Sequence, residues 1–428
     1  MTSQKPTGTV DFYPEDMEIR SKIFALLRAT CERFGFKNIE SPAFENIDLL
    51  TKKSGEEVSK QIFTLEKRGK ERQSLSDLSS KGDEQFGLRF DLTVPFTRMF
   101  IQKQKELPKP VKWFGISRMW RYERPQAGRL REFYQLSVEL FGSNKPEADA
   151  EIINLAIACL RSLKLTSEDF YVRLNNRKLL QGILESFAPK ENINDLISLV
   201  DKKDKIEDSE FNKGLEEFKV KNHEKLKKIL ETDNIKELEK LELNEQAKQG
   251  LEELKQILPL LNSKFIKLDL TTARGLAYYT GTVFEVFDKK GKFRSIAGGG
   301  RYDDMVGLFG GESTPATGFA MGYSTLSLLL KDKNLLPKTE QAIDYYVIII
   351  GENKIKEKAL SIISKLRNKY SVDYNLSGRS VKKQMDYANK INAKNVIFIG
   401  EKEIWTNKLS VKDMKTGKEK TVEIKDIP

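Results

Sequence analysis

Hydrophobic and polar residues alternate most sharply between Val111 and Glu139, in VKWFGISRMWRYERPQAGRLREFYQLSVE. Side chains along a strand point alternately to its two faces, so the pattern predicts strand, loop, strand. On the first strand Gly115, Ser117, Met119, Arg121 and Glu123 share one face, and Phe114, Ile116, Trp120 and Tyr122 the other. On the second, Phe133, Gln135, Ser137 and Glu139 oppose Tyr134, Leu136, Val138 and Leu140. Arg121, Glu123, Gln135 and Glu139 can therefore line one cavity while their apolar neighbours turn into the protein. The connection from Arg124 to Arg131 is basic and longer than a tight hairpin turn. An ordinary surface hairpin, polar side out, has the same pattern.

The rest of the chain divides by period. Glu15 to Phe34 carries Ile19, Ile23, Leu26, Leu27 and Phe34 at helical spacing and leads into FKNIESPAFE, an extended stretch broken by Pro42. Glu71 to Gly82 is polar and reads as a mobile loop. FGLRFDLT alternates again, with Gly87, Arg89, Asp91 and Thr93 on one face, and a helix is expected from Pro95. Glu147 to Leu163 reads as a helix, FYVRLNN as a strand, and the tract to about Asn262 as helices among dense mixed charge. Residues 176–262 thus read as a helical insertion. The sheet pattern resumes at FIKLDL, TTARGLAYYTGTVFEVF and RSIAGGGRYDDMVGLFG, and GFAMGYSTLSLLL reads as strand, turn and helix. Residues 331–342 read as a linker. Beyond it DYYVIIIG, VDYNLS and NVIFIG are strands alternating with helices at Lys354 to Lys369 and Ser380 to Ile391, closed by a hairpin turning at Lys415 to Lys418. The expectation is an α+β domain on an antiparallel sheet over 1–330. A smaller α/β domain with a mostly parallel sheet is expected over 343–428.

Composition narrows the chemistry. A chain of 428 residues is long for one core, which agrees with two or more domains. At 39% hydrophobic and 32% charged residues it is globular in composition, and no run approaches a membrane span. The net charge of +11 suits a polyanionic partner, although lysine richness alone also serves solubility. The excess is local: residues 340–428 hold 18 Lys and Arg against 12 Asp and Glu, whereas 190–262 hold 14 against 18. Cys31 and Cys159 lie in apolar helical settings and read as buried free thiols. With an N-terminus lacking the apolar stretch of a signal peptide, they point to the reducing cytoplasm. The single histidine, His223, falls in the charged run VKNHEKLKK and reads as a solvated helix residue. Ser-His-Asp and Cys-His hydrolases and histidine-ligated metal centres are thereby excluded. Gly298 to Gly300 permit close backbone approach to a ligand, but no P-loop or Rossmann fingerprint occurs.

RYERPQAGRLREFYQ resembles motif 2 of the class II aminoacyl-tRNA synthetases. RGLAYYTG (274–281) and AGGGRYD (297–303) resemble the two histidine-specific blocks of the histidyl-tRNA synthetase family. LRFDLT resembles its amino-acid-binding strand, and NLSGRSVKKQMDYANKINAKNVIFIG its C-terminal anticodon-binding domain. The resemblance implies a cytoplasmic histidine–tRNA ligase with L-histidine, ATP and tRNA(His) as substrates and Mg²⁺ on the outer phosphates. It assigns Arg121 and Arg274 as catalytic groups on opposite sides of the α-phosphate, Arg121 also holding the histidine carboxylate. Glu123 would contact the adenine side and Arg129 the outer phosphates. Glu139 and Tyr279 would bond the imidazole nitrogens, Asp91, Thr93 and Gln135 the α-amino end, and Tyr278 would complete the pocket. No protein metal ligand is assigned. Glu15 to Phe44 resembles motif 1, implying a homodimer.

Such chemistry needs no general base, because the attacking carboxylate is already an anion; placement and positive charge suffice. Taken singly, Tyr278 and Tyr279 could be core aromatics, Asp91 a salt-bridged strand residue, and the glycines a plain turn. One position departs from the family pattern: ungapped alignment of GFAMGYSTL puts Thr325 where the family carries an ATP-binding arginine. Either another cation serves the outer phosphates or ATP use is altered. The alternative is a catalytically silent paralogue, resembling the regulatory subunit of ATP phosphoribosyltransferase or a tRNA-binding relative.

Overall fold

The computed structural model describes residues 4–52, 60–65, 85–274, 278–339 and 343–424. The chain forms two compact units, Met1–Pro337 and Lys338–Pro428. The polar stretch from Glu71 to Gly82 and residues 340–342 of the linker lie outside the described residues.

In the first unit, α1 (Pro14–Arg33) has proline at its start and Glu15 and Asp16 in its first turn, where fixed φ and negative charge suit unpaired amides. Short strands β1 (Lys37–Asn38), β2 (Phe44–Asn46), β3 (Thr64–Leu65) and β4 (Phe86–Leu88) precede α2 (Thr93–Lys103). The hairpin is β5 (Val111–Trp120) and β6 (Glu132–Phe141), followed by α3 (Pro146–Ser162) and β7 (Phe170–Asn176). Helices from α4 (Arg177–Glu185) to α5 (Glu245–Ile257) lead to β8 (Ile266–Leu268), β9 (Thr282–Asp288), β10 (Ala297–Arg301), β11 (Ala316–Gly322) and α6 (Tyr323–Asp332).

The main sheet runs β1-β5-β6-β11-β10-β9-β7-β8. Its interior pairs are antiparallel, as the patterning predicts, and both edge pairs, β1–β5 and β7–β8, are parallel. Ser117 stands opposite Gln135, and Glu139 opposite both Trp113 and Gly318, which keeps the predicted faces. One core joins α1 (Ile23, Leu27, Cys31), α3 (Ile152, Leu155, Cys159) and the sheet. The helices between β7 and β8 share that core through Leu179, Ile183, Leu254 and Ile257. Gly250 lets α5 press against α4: a Cβ there would stand 2.4 Å from the Leu179 nitrogen.

Three expectations are corrected. The FGLRFDLT strand stops at Leu88, and the helix opens at Thr93, not Pro95. Arg89 ends the ladder. Its guanidinium donates to the Ser41, Pro42 and Arg118 carbonyls, so the side chain is buried as an anchor and does not line a cavity. Pro95 still sits in the first turn, where its missing N–H costs nothing. His223 is half-buried at a helix start, its ring 3.0 Å from the Val220 carbonyl, and is not simply solvated.

The second unit contains β12 (Tyr345–Ile349), α7 (Lys354–Leu366), β13 (Val372–Tyr374), α8 (Val381–Lys390), β14 (Asn395–Ile399), β15 (Lys408–Asp413) and β16 (Glu419–Glu423). The order is β13-β12-β14-β15-β16. The first three strands are parallel; the last two add antiparallel. The sheet is therefore evenly mixed where a mostly parallel one was expected. The step from β14 to β15 holds one short helix, too little chain for a parallel crossover. Helix α7 packs beside Val347 and Ile397, and α8 beside Tyr346 and Ile348, so β12 is apolar on both faces. Among the described residues no helix is long and apolar enough to cross a membrane.

Candidate active site

A cavity of about 910 Å³ lies in the first unit, lined in part by Arg121, Glu123, Arg129, Gln135 and Arg274. The loop after β5 is tightly held. Arg121 N donates to the Arg131 carbonyl at 2.9 Å, and Gln126 and Arg129 exchange backbone bonds across a turn with Gly128 at φ 75°. The Gly8 carbonyl accepts from Arg131 N at 2.8 Å, so the start of the chain braces the loop. Pairing ends at Trp120, and alternation lapses with it: Tyr122 is exposed beneath the Arg131 guanidinium, 4.6 Å away, and does not turn inward. Arg129 forms an ion pair with Glu123.

Two further arginines face the cavity. Arg121 Nε donates to the Phe90 carbonyl at 3.1 Å, and its guanidinium lies 5.0 Å over Phe133. Burial lowers its pKa, Asp91 and Tyr278 push back, and the neighbouring Arg274 lowers it again. Arg274 has φ 46°, a conformation that residues other than glycine rarely adopt. Burial would lower its pKa too, but Tyr279, Glu285 and Tyr278 outweigh that and raise it. Its guanidinium crosses Gly298: a Cβ there would stand 1.4 Å from Nη1. The glycine at 298 is what this arginine requires.

Beside the cavity lies a second cluster. Thr93 Oγ1 donates to Glu139 Oε1 at 2.7 Å. Glu139 is 1% exposed, and no donor among the described residues reaches Oε2. Burial drives its pKa well up, the Thr93 bond pulls it down, and Asp91 raises it further. A buried carboxylate oxygen without a donor is costly, so a ligand donor fits here. Gly318 keeps the space open: a Cβ would stand 2.2 Å from Oε2 and 2.5 Å from the Tyr302 hydroxyl. That hydroxyl is also buried without a partner among the described residues.

Tyr302 was not among the residues the sequence singled out, although AGGGRYD contains it. The rings of Tyr278 and Tyr279 lie 4.7 Å apart, and Tyr302 meets Tyr278 edge-on at 5.9 Å. Burial raises the Asp91 pKa, while Arg121 and the Val94 and Thr93 amides lower it. Gln135 is 4% exposed and donates to Ser137 Oγ at 2.9 Å. Asp91, Thr93, Glu139, Tyr278 and Tyr279 thus form a cluster outside the cavity lining. It joins the cavity through Asp91 facing Arg121 and Arg274 standing 5.7 Å over Tyr279.

Thr325, in the first turn of α6, is 7% exposed, its hydroxyl 3.5 Å from the Gly128 carbonyl. Arg301 is structural, paired with Asp149 at 2.9 Å and Asp303 at 3.0 Å. Arg294, between β9 and β10, also lines the cavity, though alternation gave no sign of it.

A family model described as histidyl-tRNA synthetase matches residues 8–326, and an anticodon binding domain model matches 344–428. The chain belongs to the histidyl-tRNA synthetase family. The histidine–tRNA ligase of Haloarcula marismortui is 37% identical over 432 residues, spanning 98% of this chain and 96% of its own. That of Thermococcus kodakarensis is 38% identical over 434 residues, with the same coverage. The crystal structure of histidyl-tRNA synthetase from Nostoc sp. PCC 7120 is similar at TM-score 0.77 and 26% identity, covering 99% of this chain and 97% of that one. A Bacillus halodurans structure described as an ATP phosphoribosyltransferase regulatory subunit/histidyl-tRNA synthetase has TM-score 0.75 at 24% identity, covering 94% of this chain and 99% of that one; that likeness is of fold. The catalytic unit has the class II fold of histidyl-tRNA synthetases. The described parts of the two family blocks, Arg274 with Tyr278 to Gly281 and Ala297 to Asp303, frame the two clusters.

Proposed function

We propose that the chain is a histidine–tRNA ligase, and that Arg121, Arg274, Glu139 and their neighbours are its working residues. The observation that carries this reading is Glu139 Oε2, a buried acceptor with no donor among the described residues, beside an arginine-lined cavity. An imidazole N–H supplies that donor. Tyr279 or Tyr302 offers a hydroxyl to the other ring nitrogen, and the raised Tyr279 pKa keeps that hydroxyl protonated at neutral pH. Asp91, Thr93 and Gln135 take the α-amino end, and Tyr278 closes the pocket. An amino acid with an apolar side chain would leave these polar groups unpaired and is rejected.

Activation follows from placement. The histidine carboxylate attacks the α-phosphorus of ATP, the bond to the bridging oxygen breaks, and pyrophosphate leaves. Arg121 and Arg274 hold charge that builds on the α-phosphate oxygens, in a site where burial strengthens each contact. Glu123 faces the adenine and Arg129 the outer phosphates. The tRNA 3′-terminal hydroxyl then attacks the carbonyl carbon of the adenylate, and AMP departs. Among the described residues no group of three carboxylate, histidine or cysteine side chains could hold a metal ion. The resemblance assigns Mg²⁺ to the outer phosphates of ATP, where it would neutralise their charge.

A homodimer through α1 is part of the proposal, resting on the resemblance of Glu15 to Phe44 to motif 1; Tyr13 and Met17, one turn apart, are exposed there. So are tRNA(His) as partner and a cytoplasmic location. The test is histidine-dependent exchange of pyrophosphate into ATP, followed by charging of tRNA(His). The silent-paralogue reading has Thr325 in its favour; exchange by the purified protein would overturn it, whereas histidine binding without exchange would support it.

A further inference from the structure

Resting on the reading above, we propose that Arg294 binds the outer phosphates of the nucleotide. Cations are common around the cavity, but nearly all of them are engaged. Arg129 is paired with Glu123, Arg173 with Asp204, Lys205 with Asp201, Arg274 with Glu285, and Lys292 with Asp332. Arg121 donates to the Phe90 carbonyl and faces Asp91. Arg294 lines the same cavity, is exposed to it, and has no ion pair, hydrogen bond or ring contact among the described residues. A guanidinium left free in this way retains all five donors for an anion.

The backbone beneath it is fixed. Asp288, 3% exposed at the end of β9, accepts from Lys292 N and Phe293 N at 2.9 Å each, and its carbonyl accepts from Gly291 N at 3.1 Å. Ser295 Oγ donates to the Ala297 carbonyl at 2.9 Å on the other side. The turn before Arg294 and the residue after it are therefore both anchored. Ordering costs for binding are small when the backbone is already placed.

Position selects the ligand. Arg294 lies close enough to Arg129 to lower its pKa, after burial the largest cause, and Arg121 lowers it further. Three like charges converging with one carboxylate among them suit a polyanion. With the α-phosphate between Arg121 and Arg274, what remains for Arg129 and Arg294 is the pyrophosphate portion. Thr325 cannot serve there, being neutral, nearly buried, and turned toward the Gly128 carbonyl.

The experiment uses the full-length protein with Arg294→Ala and Arg294→Lys. In histidine-dependent exchange, Arg294→Ala should raise KM for both ATP and pyrophosphate by about tenfold to a hundredfold, the loss of one charge-assisted contact. KM for histidine and inhibition by AMP should stay unchanged, and Arg294→Lys should restore part of the loss. Unchanged KM for ATP and pyrophosphate would overturn the proposal, as would an equal weakening toward AMP. Should the wild type show no exchange, the activity reading fails by itself. Calorimetric titration with inorganic pyrophosphate then decides Arg294: binding by the wild type that Arg294→Ala abolishes supports it, and equal binding or none by either overturns it.

Discussion

Glu139 is the residue on which the substrate reading turns, because one of its buried oxygens has no donor among the described residues. Gly318 holds open the space at Oε2, as Gly298 holds open the space for Arg274. Glu139→Ala should weaken histidine binding by about a hundredfold, the loss of a charged hydrogen bond in a desolvated pocket. ATP binding should hardly change. Equal losses in titrations of the two ligands would remove the role given to Glu139. Gly298→Ala should act on the other half of the reaction. The added methyl group collides with the far end of the Arg274 side chain and stands 3.2 Å from the Phe284 carbonyl, so the guanidinium has to leave its place while the strand pair gives only slightly. Exchange should fall at least about a hundredfold, the scale of losing one transition-state contact, with the melting temperature little changed. Retained exchange would show that Arg274 works from elsewhere.

At the scale of elements, β5 and β6 were legible because the alternation of residue types follows the pairing register: one face carries Gln135 and Glu139, and Ser117 and Trp113 stand across from them, although β6 is buried on both faces from Gln135 to Phe141. FGLRFDLT misled because Arg89 spends its guanidinium on three backbone carbonyls, a tertiary fact that a period-two pattern cannot express. Tyr302 and Arg294 escaped for opposite reasons: the first reads as a core aromatic, the second as a solvated loop cation. Only the meeting of distant strands gives either a neighbourhood. The second unit shows another such junction. Asp344 accepts from Ser371 N at 3.0 Å, Ser371 Oγ at 2.9 Å and Lys394 Nζ at 2.9 Å, tying the starts of β12, β13 and β14. The Lys394 and Ser371 bonds hold its pKa down at about 2 from the ordinary 3.8. A depressed carboxylate stabilises the fold above its unfolded pKa and loses that contribution as pH falls through the folded one. Asp344→Asn should therefore cost about 1 kcal/mol at neutral pH. In thermal melts the gap to wild type should narrow as pH drops from 3.8 toward 2; a constant gap would assign the loss to packing.

For the whole molecule, the two units divide the labour by charge. Every residue lining the large cavity belongs to the first, so the activation proposed above draws on that unit's groups. The second carries much of the basic excess, 18 Lys and Arg against 12 Asp and Glu over residues 340–428. Its family match is to an anticodon binding domain. Phosphate contacts of this kind add affinity and make it fall with salt, while small-molecule steps in a buried site are screened far less. Lys382 and Lys383 are suitable probes, since both are exposed on α8 and neither has an ion-pair partner among the described residues. Replacing both with alanine should leave histidine-dependent exchange unchanged and raise KM for tRNA in the charging reaction. The slope of log affinity against log salt should fall by about one for each lysine that meets a phosphate. Loss of exchange in parallel with charging would mean that the second unit shapes the activation site, and the division by charge would fail.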